Sequence, residues 1–169
     1  YLSYQTIPQP AGEVSCTARS FEMMINRGWW GQAKIHGHRA QIHLNRDQCI
    51  VYTRHGAPHK KVPDEQTVAE WRRVLPVSSE WSIFDSEWLK EKNEIYVFDV
   101  IMLHGKLLNS LSYRQRYEYL PQVFQSEAVF VLPVLKTVSE CIREAEKDSK
   151  DNEGLVFRDD LVADLVQGV

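Results

Sequence analysis

The chain of 169 residues has only three cysteines, Cys16, Cys49 and Cys141, far apart and in no Cys-x-x-Cys pair. This excludes a zinc ribbon and a disulfide scaffold and fits a reducing compartment. No apolar run approaches the roughly 20 residues that span a bilayer, and no signal-peptide pattern is visible. An intracellular protein, neither secreted nor membrane-bound, is expected. An excess of positive charge is missing too: 20 Lys and Arg stand against 23 Asp and Glu, a net charge of −3. There is then no global basic field, and any nucleic-acid binding must come from a local patch or another domain. What remains is an ordinary globular composition, 43% hydrophobic and 25% charged. Five Trp, seven Tyr and six Phe can fill a sizeable core, and the length fits one domain.

Residues 1–17, polar and with Pro8 and Pro10, read as an extended entry segment. A short helix is predicted from Arg19 to Arg27, stopped by Gly28. The pattern then turns to strands: Ala40–Leu44 and Gln48–Thr53 alternate apolar and polar residues around the turn Asn45-Arg46-Asp47. Lys34 is expected at the edge of this antiparallel hairpin. A helix should open at Pro63-Asp64-Glu65 and close at Pro76. Strands are predicted over Trp81–Trp88 and Glu94–Leu103, the latter so apolar that both its faces should be buried. Tyr113 to Phe124 reads as a helix kinked at Pro121, Ala128–Leu135 as a strand, Val138–Lys147 as an amphipathic helix and Glu153–Arg158 as a last strand. The fold class is α+β, antiparallel sheets with flanking helices.

The stretch Gln32-Ala33-Lys34-Ile35-His36-Gly37-His38-Arg39 carries the chemistry. A nucleophilic lysine needs a partly desolvated pocket, a glycine that lets backbone and ligand approach, and a cation to hold phosphate or sugar. Lys34 follows the aromatic run Gly28-Trp29-Trp30-Gly31 and precedes Gly37 and Arg39. Arg54, Glu87 and Glu153 each sit at a strand edge beside a small residue. Singly, each is explained as an exposed strand-end charge. With Lys34 they make a set expected to line one face of a sheet. His36, His38 and His43 invite a metal reading, with His36 and His38 on one strand face, but no third ligand of Cys or Asp type stands near them.

These stretches, in this order, resemble the covalent nucleotidyltransferases: the ATP-dependent DNA and RNA ligases and the capping enzymes. Lys34-Ile35-His36-Gly37-His38-Arg39 is similar to the signature Lys-x-Asp-Gly-x-Arg, and Thr53-Arg54-His55-Gly56 to Ser/Thr-Arg-Asn-Gly. Phe84-Asp85-Ser86-Glu87 resembles the glutamate-bearing third motif, Tyr96–Gly105 the aromatic strand after it, and Glu153-Gly154-Leu155-Val156-Phe157-Arg158 the motif Glu-Gly-Leu/Val-x-x-Lys.

The resemblance implies a nucleotidyltransferase, ATP-grasp-like adenylation domain over residues 1–169. In it, Lys34 would take AMP from ATP. Gln32 would accept from the adenine amino group, and Arg39 and Arg54 would hold ribose and phosphate. Glu87 would bind a ribose hydroxyl, Phe98 would stack on adenine, and Glu153 would help hold Mg²⁺. Trp29 and Trp30 could wall the nucleotide pocket. The implied partner is a nicked duplex, DNA or RNA, with a 5′-phosphate and a 3′-hydroxyl, joined by a monomer.

Arg39 and the run Ala40-Gln41-Ile42-His43 favour DNA. His36, in place of the usual Asp, is a feature of RNA-repair and RNA-editing ligases. Residues 159–169 hold no lysine, so the family's fifth motif and its OB-fold domain are expected to be missing from this chain. An RNA ligase, a capping guanylyltransferase and a non-catalytic nucleic-acid-binding module are the alternatives.

Overall fold

A computed structural model of the chain describes residues 4–6, 17–122, 126–147, 152–160 and 166–167. Its elements run β1 (Gln5–Thr6), α1 (Ala18–Asn26), β2 (Trp30–Ile35), β3 (His38–Leu44), β4 (Cys49–Tyr52), α2 (Glu65–Val74), β5 (Ser82–Leu89), β6 (Glu94–Leu103), β7 (Lys106–Leu107), α3 (Tyr113–Tyr117), β8 (Val129–Val131), α4 (Val138–Ala145), β9 (Asn152–Arg158) and β10 (Val166–Gln167). They form two compact units. The first takes Tyr1–Ile7, Gly37–Val131 and Val162–Val169, the second Pro8–His36 and Leu132–Leu161. Among the described residues no helix is long and apolar enough to cross a membrane.

The first unit is built on a six-stranded sheet in the order β4-β3-β5-β6-β7, with β8 also paired to β6. Asn45 makes the β3–β4 turn: its Oδ1 accepts from the backbone amides of Asp47 (2.9 Å) and Gln48 (2.7 Å), an Asx turn that leaves the strands in register. Strand alternation sends Ala40, Ile42, Phe84 and Trp88 to one face. All four are fully buried, and Trp71 of α2 meets Trp88 edge-to-face, with ring centroids 6.0 Å apart. Asp64 caps α2 by accepting from the amide of Thr67 at 2.8 Å. β6 pairs with β5, β7 and β8, and its middle is buried on both faces, as its apolar run predicts. It also carries a buried ion pair, Asp99 with Arg116 of α3 at 2.9 Å.

The second unit pairs β2 with β9 antiparallel and lays one face of that ribbon on α1 and α4. Phe21 and Met24 of α1, Cys141 of α4, Leu135 and Phe157 make its core. Gly31 sits where β2 meets this core. A Cβ there would stand 3.3 Å from Cys141 Sγ and from Phe157 Cε1. Its backbone exchanges two hydrogen bonds with Leu135, of 2.9 and 2.7 Å.

Three expectations change. Lys34 is not on the edge of the β3–β4 hairpin. β2 pairs with β9 across more than a hundred residues, so the pairing cannot be read from local turn chemistry. The helix expected over 113–124 ends at Tyr117, four residues before Pro121. Residues 123–125 lie outside the described ones. The strand expected over 128–135 is limited to Val129–Val131, whose pairing with Ile95–Val97 is parallel. The extended segment expected over 1–17 is described only at 4–6 and 17, with Gln5–Thr6 as β1.

Candidate functional site

The predicted residues are divided between the two units. Lys34, Gln32 and Glu153 belong to the second; Arg39, Arg54, Glu87 and Phe98 belong to the first. They therefore do not line one face of a single sheet, as the sequence suggested. The chain crosses from the second unit to the first between His36 and Gly37, so His36 and His38 do not share a strand face either.

In the second unit, Lys34 is exposed. Ala33 pairs with Leu155 and Ile35 with Asn152, so two residues of β9, Glu153 and Gly154, stand opposite Lys34 alone. This is a β-bulge, a device found next to active sites because it re-aims side chains. Gly154 takes φ 116°, a conformation that glycine adopts without a Cβ clash. The backbone thus brings the candidate lysine opposite Glu-Gly of the last motif. Glu153 is placed by its backbone only, its side chain being outside the described ones.

Alternation puts Trp30, Gln32 and Lys34 on the ribbon face turned away from α1 and α4. Gln32 is fully buried. Its Oε1 accepts from Arg158 Nε at 2.6 Å, and its Nε2 lies 3.5 Å from Leu132 O. Arginine is donor-only and a carbonyl is acceptor-only, so both contacts fix the amide the same way round. The oxygen expected to receive adenine already receives the Arg158 donor. Trp30 lies under Lys136, whose Nζ is 4.7 Å from a ring centroid. Trp29 packs instead on the unit's core.

In the first unit, Arg39 and Glu87 are direct cross-strand partners on β3 and β5. Arg39 nevertheless gives its charge to Asp85, two residues earlier on the same face. Nε donates to Oδ1 at 2.5 Å and Nη2 donates to Oδ2. Asp85 is fully buried, and 11% of the Arg39 side chain is exposed. Burial works against the guanidinium charge, but Asp85, Tyr4 and Glu87 outweigh it and hold the pKa above its ordinary value. Glu87 Oε2 accepts from the backbone amide of Gly37 at 3.2 Å. A Cβ at Gly37 would stand 2.7 Å from Trp88 O, so the close approach this glycine permits is by the protein's own backbone. Phe98 is buried, with the Arg39 guanidinium 5.2 Å from its ring centroid. Tyr96, opposite Glu87 on β6, is only half-buried and stacks on Phe130 with centroids 5.0 Å apart. Arg54 is exposed on the turn after β4, where its Nε lies 3.2 Å from His55 Nε2.

Asp85, Arg158, Lys136 and Tyr4 were not singled out by the sequence reading. Asp85 was open to it, being two residues from Glu87 and so on the same strand face. Tyr4, raised in pKa by burial and near the Arg39–Asp85 pair, lies in a segment with no pattern to read. Among the described residues no three His, Cys, Asp or Glu side chains gather as a metal cluster. A magnesium ion held through substrate phosphates and one carboxylate needs no such cluster. An oxygen donor such as Glu153, set opposite Lys34, suits that hard ion.

No curated protein gives a significant match to this chain. A family model described as RNA ligase matches residues 27–164, which include β2, β9 and every predicted site residue. The match spans most of the sequence, and the chain belongs to the RNA ligase family.

Proposed function

We propose that this protein is an ATP-dependent RNA ligase that works through a covalent AMP on Lys34. The observation that carries the reading is the exposed Lys34 on β2, opposed at a bulge by Glu153 and Gly154, within the span matched by the family. The family is named for RNA, and this favours RNA over the DNA that Arg39 and its neighbours suggested.

The deprotonated Nζ of Lys34 attacks the α-phosphorus of ATP in line. The P–N bond forms as the bond to the bridging oxygen breaks, and pyrophosphate leaves. A lysine is protonated at neutral pH, so the attack requires that the proton be lost first. An oxygen of the RNA 5′-phosphate then attacks the same phosphorus and releases the lysine. Finally the 3′-hydroxyl attacks the 5′-phosphate, and AMP departs.

Within this scheme Arg39 acts as a fixed donor. Asp85 engages Nε and Nη2, leaving Nη1 for a ribose or phosphate oxygen. Glu87 accepts from a ribose hydroxyl, and Arg54 supplies a second cation to phosphate. Gln32 accepts from the adenine amino group, and Tyr96, half-buried on the aromatic strand, offers the base a stacking surface, Phe98 being buried beneath Arg39. Glu153 would hold Mg²⁺, which neutralises charge on the α-phosphate and the leaving pyrophosphate when bound.

The test is to incubate the protein with Mg²⁺ and ATP or GTP and to weigh it. An acid-labile adduct of one AMP, absent in Lys34→Ala and in Lys34→Arg, is the expected result. Absence of any adduct leaves a non-catalytic binding module, and an adduct with GTP alone points to capping chemistry. Sealing of nicked RNA against nicked DNA then decides the acceptor.

A further inference from the structure

A cationic group outside the residues above lies on the first unit, where the His38 end of β3 meets the Trp88 end of β5. His59 fixes the chain there. Its amide donates to Val51 O at 2.9 Å, its Nε2 lies 2.8 Å from Arg39 O, and its ring meets Trp88 edge-on with centroids 5.5 Å apart. That anchor places the next two residues, Lys60 and Lys61, which are both exposed. Lys61 Nζ donates to Lys90 O at 2.8 Å. The ammonium groups of Lys61 and Lys90 each lie 5.5 Å from the centroid of the Trp88 ring. His38, also exposed, is the cross-strand partner of Trp88. Burial lowers the pKa of His59, and Lys90 and His38 lower it further, as a locally positive potential must.

Exposed lysines are ordinarily a solvated surface. Two features set these apart. Lys61 is held by a carbonyl oxygen and an indole instead of sampling its rotamers in water, so it is preorganised for an anion. Like charges are also gathered on one ring, and an anion laid across them relieves their repulsion. The nearest acidic residue on the same segment, Asp64, is engaged first by its helix, where it accepts from the amide of Thr67, and feels the charge of Lys61 only as a lesser effect. Glu91, beside Lys90, is exposed. The pair His38–Trp88 is next in register to Arg39–Glu87. An anion at this rim is therefore one residue along the sheet from two side chains assigned to the nucleotide.

The geometry points to this rim as a docking surface for the sugar-phosphate backbone of the polynucleotide, with Lys60, Lys61, Lys90 and His38 contacting phosphates near the end to be joined. The inference rests on the polynucleotide-ligase reading. It is tested by the affinity of the protein for a fluorescein-labelled, 5′-phosphorylated nicked RNA duplex, measured without ATP over a range of salt concentrations. The triple variants Lys60→Glu/Lys61→Glu/Lys90→Glu and Lys60→Gln/Lys61→Gln/Lys90→Gln are compared with the parent.

Both variants should form the ATP adduct as the parent does. They should bind the RNA roughly tenfold or more weakly, with a slope of log K against log salt shallower by about 2.7, as the loss of three phosphate contacts on a duplex requires. Unchanged affinity and slope overturn the proposal. So does a loss of affinity with an unchanged slope, which marks a folding defect, and so does a parent that fails to bind RNA. A parent that binds RNA through this rim but forms no adduct sinks the catalytic reading alone.

Discussion

Arg39 faces Glu87 across β3 and β5 but is bound to Asp85, a fully buried carboxylate two residues along the same strand. The guanidinium is thereby fixed in direction, with Phe98 beneath it. A single residue, Asp85, sets the aim of the cation assigned to the nucleotide.

Asp85→Ala leaves that cation without its buried partner. We expect a loss of about 3–5 kcal/mol in urea denaturation, the usual cost of breaking a buried pair. The double variant Arg39→Met/Asp85→Leu should recover most of the stability and still form little ATP adduct. Full adduct formation in the double variant would remove Arg39 from nucleotide handling.

Gln32 and Arg158 are coupled in the same way inside the second unit. Arg158→Met leaves the buried Oε1 of Gln32 without that donor, at about 1–3 kcal/mol. Adding Gln32→Leu should return part of it, because two apolar partners leave no polar atom unmet. A double-mutant cycle measures the difference, and strict additivity would show that the two side chains act separately.

His59 gives the protein a component of acid lability. Burial first, and then Lys90 and His38, hold its pKa below the ordinary value in the fold, although its bond to Arg39 O acts the other way. The unfolded chain then binds the proton more readily, so stability falls as pH drops below about 6.5 towards the folded pKa. Above that the contribution is constant. Denaturation midpoints taken across this interval should fall less steeply in His59→Asn than in the parent. Parallel curves would mean that carboxylates carry the whole effect.

The sequence is most legible where structure is local. Glu94–Leu103 shows its bounds because an apolar run closed by the turn His104-Gly105 leaves few choices, and those two residues take φ 48° and 82°. α2 is marked by its cap Asp64. The motifs place Lys34, Arg39, Glu87 and Glu153 in order. What was not legible depends on pairing between distant segments: that β2 takes β9 as partner, that β8 runs parallel to β6, and that the charge of Arg39 ends on Asp85. α3 illustrates a different failure. Its capping box, Ser112 with Gln115, starts a helix well, but the chain turns away after Tyr117 before the apolar spacing does.

The bulge opposite Lys34 has a consequence for how the sequence tolerates changes of length. β9 alternates Phe157, packed in the core, with Val156 and Arg158 on the lysine's face. Deleting or inserting one residue between Leu155 and Arg158 would turn the strand over beyond that point, sending a cation into the core and the phenyl ring to the other face. The Glu-Gly pair already absorbs the one extra residue that β9 carries, so it acts as a register lock. Length variation among relatives should stop short of it and be taken up outside β9.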